Sequence, residues 1–429
     1  MFEDPPGGTS EPETVKVDPA DIEAYAKMFD AADDENEGNR KSAASCVVQQ
    51  PQPLENYTGK RIMHKGDSTF VSCTPESGHL LATIKVASDG LTAALGDFLG
   101  VLHGVLAEAG PTLNRVAAAY VRADQDSADA VAQADPDAVI LAEPYYDGQS
   151  AHAFEYAVPE DDYLRLDNTL YGDPDPYAEI KAASDGVRSL TGGPSLLDRV
   201  TSWNWEFDFV NEEAAGPVKA FLSGYGIGVD GMTEKFTGDW HDLRVCSSGL
   251  RRVAIGLASI SRNVTQGMTD LRVTWSGEAA DQAEAYFSEL SARALQPVEA
   301  LTSSAQAIDD AFAAVADRVP TMAFWIQATM YLGSWAMAAT DSSDYGNAKD
   351  GVTGGGKGIA ISKLYDLAAF DYCLGEALHI WHNSVKVSHG HCLDDATTCA
   401  TSLTSLADAV REQTGALRTL RLGRTGGTT

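Results

Sequence analysis

The side chains best suited to chemistry cluster toward the C-terminal end of the chain. His379 and His382 stand three residues apart, so a helix would set both imidazoles on one face, and His389, His391 and Cys392 follow where a turn is predicted. Neutral nitrogen and thiolate donors of this kind could converge on zinc. The spacing matches no established metal-ligand pattern, and loop histidines without metal are the competing reading. No helical His-Glu-x-x-His motif accompanies them and no Ser or Cys stands in a nucleophile elbow, so hydrolytic chemistry finds no second support. The chain is therefore expected to use no cofactor and to be non-catalytic.

Two further features invite the same scrutiny. Residues 351–358 read Gly-Val-Thr-Gly-Gly-Gly-Lys-Gly, close to a phosphate-binding loop. Gly358 stands where a Ser or Thr would hold magnesium, and no strand precedes the stretch, so a connector between helices explains the glycines. Among the six cysteines, Cys46 and Cys73 flank a predicted loop and Cys392 and Cys399 are close in sequence. Either pair could bridge after export, with buried free thiols as the alternative.

The elements that must position any site are helical. At Val17-Asp18-Pro19 an Asp cap followed by Pro announces a helix that is predicted to run to about Val48, with a polar stretch that could interrupt it. A longer apolar pattern runs from about His79 to Ala132, with Leu91, Leu95, Leu99, Leu102 and Leu106 in series and Gly110-Pro111 predicted to break or kink it. The most regular stretch lies between Trp240 and Asp317. Leu250, Val253, Leu257, Ile260, Val264, Met268 and Leu271 form one stripe. Ala280, Ala283, Phe287, Leu290, Ala294, Val298, Leu301, Ala305, Ile308, Phe312 and Val315 form another. Two helices so striped and joined by a short turn must fold back antiparallel to hide their apolar faces from water. The joint is Trp275-Ser276-Gly277, where Gly permits a positive φ and Trp anchors the mouth, and Pro297 is expected to kink the second helix.

This Trp-x-Gly joint between two long seam-forming helices resembles the WXG100 superfamily, helical hairpins exported by type VII secretion systems of actinobacteria and related bacteria. The segments Gly238-Asp239-Trp240 and 274–280, Thr-Trp-Ser-Gly-Glu-Ala-Ala, are similar to long members with extra helices on both sides. The approach Ala117-Ala118-Ala119 to Tyr120, followed by Asp124, resembles the Tyr-x-x-x-Asp/Glu signal carried by one partner of type VII substrate pairs. Tyr120 and Asp124 are one helical turn apart and share a face. The N-terminal unit departs from the family in having no Trp-x-Gly of its own. The resemblance implies a recognition patch made of Trp275, Gly277, Tyr120 and Asp124. It also implies export without a cleaved signal peptide, and the acidic, core-free start is consistent with that.

Composition narrows the partners. The 31 basic and 62 acidic residues leave a net charge of −31, which opposes binding to nucleic acid or anionic lipid and suits a basic partner surface, solubility outside the cell, or adaptation to high salt. Residues 321–339 lack charge and are long enough to cross a bilayer, but their Thr, Ser, Gln and Gly content favours a buried bundle helix.

The expected fold is therefore all-α, an elongated bundle of two long helical hairpins plus C-terminal helices. Its parts are an acidic, disordered 1–16, an N-terminal hairpin over 17–134, an acidic aromatic-rich linker over 135–193, a WXG100-like hairpin over 194–319, and a C-terminal helical region over 320–429. Short strands are possible near 138–141 and 154–158. The expected function is that of a non-catalytic type VII secretion substrate or secretion-associated structural protein, made in the cytoplasm and placed outside the cell or in its envelope. Its expected partners are the secretion machinery and a small partner hairpin. The alternative is a secreted effector whose C-terminal region, with or without zinc, carries an activity.

Overall fold

The structure, a computed structural model, describes residues 17–29, 78–134, 175–185, 212–341 and 361–420. Every regular element among the described residues is helical, and none is a strand. The positions 46, 73, 138–141, 154–158 and 351–358 singled out in the sequence lie outside them, so the Cys46–Cys73 pairing, the short strands and the Gly-rich loop are not described.

Helix α1 (Pro19–Lys27) begins as its sequence dictates, with the Asp18 carboxylate accepting from the Ala20 N–H at 2.9 Å and Pro in the first turn. It ends at Lys27 in a turn over Met28 and Phe29, and the rest of the stretch to Val48 lies outside the described residues. Helix α2 (Leu80–Ala134) is 55 residues long and buries Leu91, Leu95, Phe98, Leu99, Leu102, Leu106, Leu113 and Ala117. It runs through Pro111, where a break or kink was expected. Gly110 serves close approach instead: a Cβ there would lie 3.0 Å from the Ala26 carbonyl oxygen at the end of α1.

Three short helices follow, α3 (Pro176–Ser184), α4 (Glu212–Ser223) and α5 (Val229–Glu234). Lys219 joins them, pairing with Asp185 at 2.8 Å and Asp230 at 2.9 Å. The central stretch forms α6 (Trp240–Leu271), α7 (Glu278–Leu295) and α8 (Val298–Asp341); the first predicted stripe is buried along its length, and so is the second except at Ala283 and Val298, which are partly buried against the core. Pro297 divides α7 from α8, because it has no N–H to continue the ladder. Cross-helix bonds show the direction: Arg272 meets Asp281, Thr265 and Ser261 meet Ser291, Arg251 meets Gln306 and Ser247 meets Asp309. Falling numbers on α6 match rising numbers on α7 and α8, so the pairing is antiparallel, as the facing stripes require.

Helix α9 (Ile361–Ile380), a π-helical turn (Trp381–Val385) and α10 (Lys386–Thr419) form one run. The turn predicted around His389 to Cys392 is absent; the π turn inserts an extra residue without leaving the helix. Helix α10 is the long partner of α2. His389 reaches the Gly78 carbonyl, Arg411 the Gly90 carbonyl and Arg418 the Asp97 carboxylate, so these two helices run parallel. Toward α8, Arg318 pairs with Asp395 and Ser304 with Ser402, an antiparallel contact. Among the described residues, then, the N-terminal helix α2 packs on α1 and has its longest partner in α10 at the far end of the chain; residues 30–77 of the expected N-terminal hairpin lie outside the described residues. One core cluster draws on helices from α1 to α10. Residues 321–339 fall inside α8, with Met322, Ala323, Ile326 and Met330 buried and Trp335 exposed. By length and composition alone, the one described helix apolar enough to span a membrane is Leu80–Ser127 in α2, whose leucines face the core.

Candidate recognition corner

The α6–α7 joint is built on one backbone requirement. Gly277 has φ 97° and ψ 179°, a region that is essentially closed to residues with a Cβ, and it starts α7 without any side-chain cap. The chain can therefore reverse within a few residues, and Trp275 turns inward. Its indole is 1% exposed, and its backbone N–H still donates to the Leu271 carbonyl at 2.9 Å. Arg272 closes the outer side, reaching Asp281 at 2.7 Å and Glu284 at 3.2 Å.

The indole N–H of Trp275 donates to the phenolic oxygen of Tyr120 at 3.3 Å. A buried indole N–H without an acceptor would be costly, so this bond ties α2 to the joint across 155 residues of sequence. Tyr120 is half-buried against the core, while Asp124, one turn further, is exposed. Beyond Tyr120 the described side chains from Arg122 to Ser127 are all exposed. Four residues named from the sequence, Trp275, Gly277, Tyr120 and Asp124, thus lie at one end of the molecule.

The C-terminal ligand set is not assembled. His379 Nδ1 bonds Asn383 at 3.0 Å and His382 Nδ1 lies 3.4 Å from the Lys386 ammonium, both exposed. His389 is buried on the opposite errand, its Nε2 at 2.9 Å from the Gly78 carbonyl, and His391 is exposed. Among the described residues no group of three or more His, Cys, Asp or Glu side chains could hold a metal ion. Because the expected turn is helix, the five candidates are distributed around a cylinder and do not face one point.

Cys392 and Cys399 are both free and buried. Seven residues along a helix separate them by about 10 Å, beyond the reach of a disulfide, so this expected pairing is corrected. Burial is the largest influence on both thiols, pushing Cys392 up to about 11 and Cys399 up to about 12, which keeps them protonated and unreactive.

Two features escaped the sequence reading. The first is a buried histidine pair at the start of α2. His79 Nδ1 accepts from the Ala82 N–H at 3.1 Å, serving as the helix cap and leaving the ring proton on Nε2, which is buried without a partner. Burial, then the neighbouring His389, brings His79 down to about 4. Burial also lowers His389, as does the Lys235 cation, while the Gly78 carbonyl acts the other way. The second is the way α1 wedges between α2 and the α6–α7 pair, signalled only by Gly267 beside the Met268 of a stripe and by Tyr25 and Phe29 one turn apart. No family model matches the chain, and no curated protein or solved structure is significantly similar to it.

Proposed function

We propose that this protein is a non-catalytic substrate or secretion-associated structural component of a type VII secretion system, recognised at the corner where Trp275 and Tyr120 meet. The observation that carries the reading is the bond of 3.3 Å between the indole N–H and the phenol, with Asp124 exposed one helical turn further along α2. In the family that the sequence resembles, the two halves of this signal come from separate chains. Here one chain supplies both, so its own α2 takes the place of a partner hairpin. Trp275, buried beneath a Gly-dependent turn, holds the half-buried Tyr120 in one place, and the exposed Asp124 carboxylate beside it suits a basic surface on the transport machinery.

Replacement of Tyr120 and Asp124 together by Ala in the native host tests the proposal. The variant should accumulate in the cells and disappear from the culture medium. Undiminished export of a stably expressed variant would remove the reading.

A further inference from the structure

Helix α1 occupies an unusual place. Helix α2 packs extensively on α10 and on α1, with no comparable contact to α6 or α7, and α1 touches α6 as well. The nine residues of α1 therefore lie between α2, where Ala26 meets Gly110, and α6, where Tyr25 meets Gly267, with Asp18 beside the joint that Tyr120 meets. Three kinds of contact hold it there. The Asp18 N–H donates to the Thr274 carbonyl at 3.2 Å, immediately before Trp275. The Tyr25 hydroxyl donates to the Val264 carbonyl at 3.0 Å in a buried setting. Tyr25 and Phe29 then join Phe287 of α7 in an aromatic cluster, with centroids 5.3 Å and 5.2 Å from that ring.

The room for this wedge comes from two glycines on facing helices. A Cβ on Gly267 would stand 2.5 Å from Tyr25 Cε2, and one on Gly110 would stand 3.0 Å from the Ala26 oxygen. Neither glycine is needed for a turn, since both sit inside helices. Their absence of side chain is explained by α1. A helix of nine residues is too short to persist alone in water, so α1 folds only when docked and its release is an all-or-none event.

We propose that α1 is a removable clasp that sets whether Tyr120 meets Trp275: docked, it holds the end of α2 against the α6–α7 joint, and released, it frees both together. Its use as a control on recognition rests on the function proposed above; the mechanical coupling does not.

Hydrogen exchange on the full chain, read by mass spectrometry, tests the coupling. In Gly267→Ala, peptides covering 17–29, 110–127 and 272–277 should all exchange at least about tenfold faster, as overpacking of this severity gives, while α10 keeps its protection. Gly375→Ala, at a helical position with nothing within 4 Å, should leave all three unchanged. Loss of protection in α1 alone would overturn the proposal, and so would unchanged protection of α1. Should Gly267→Ala fail to fold, exchange of the wild-type chain in sub-denaturing urea decides the matter. The three segments should open as one unit at lower urea than α10, and separate openings would overturn the coupling. Coupled opening with export indifferent to Tyr120 would defeat only the function; export that needs Tyr120 without coupled opening would defeat only the clasp.

Discussion

At the scale of single residues, Gly277 is the most constrained position in the corner. Its φ of 97° with extended ψ is a conformation that costs any residue with a Cβ on the order of 1–3 kcal/mol. Gly277→Ala should lower the unfolding free energy by that amount in urea titration, without change in helix content at low denaturant. A loss below about 0.5 kcal/mol, the range of ordinary surface changes, would mean that the turn can be made another way. Trp275 needs the turn because its indole is buried and must meet an acceptor, so Gly277 and the Tyr120 bond are two parts of one requirement.

At the scale of elements, the start of α2 depends on an uncharged imidazole. Above about pH 6.5 His79 is neutral in both folded and unfolded chains, so it adds no slope. Below that, the unfolded chain takes the proton readily, while the folded one resists until about pH 4 because burial and His389 oppose the charge. Stability is therefore lost as pH falls through this window, by on the order of 2–3 kcal/mol from this ring. His79→Asn keeps a cap acceptor and removes the titration. Urea midpoints measured from pH 7 to pH 4 should fall less steeply for that variant, and parallel curves would show that His79 does not set this slope. The same junction ties α2 to α10 through His389 and Gly78, so acid should loosen these helices at their N-terminal ends first.

At the scale of the whole molecule, the net charge of −31 sits on a bundle whose described salt bridges are mostly exposed and thus individually weak. Self-repulsion is the larger influence. Raising NaCl from about 10 mM to about 100 mM shortens the screening length from roughly 30 Å to roughly 10 Å, so the melting temperature should rise. A fall in melting temperature over that range would mean that the ion pairs outweigh the repulsion. The parallel union of α2 with α10 gives this body its unity, since it joins the two ends of the described chain through one core.

Periodicity made the helices legible from sequence. The stripes of α6, α7 and α8, the Asp18 cap, the α2 pattern and the Pro297 interruption all follow from local spacing and backbone chemistry, and so did the inward Trp and positive φ at the joint. Which helix faces which was decided only by tertiary structure, because stripes are interchangeable: α2 could hide its leucines against any apolar partner, and it does so against α10. For the same reason the meeting of Tyr120 with Trp275 had to be inferred by resemblance, and the α1 wedge and the His79–His389 pair went unseen. The histidine and cysteine cluster failed in the opposite sense. Neighbours in sequence promised convergence, but a helix turns each successive side chain by about 100°, and the π turn carried that rotation straight through them.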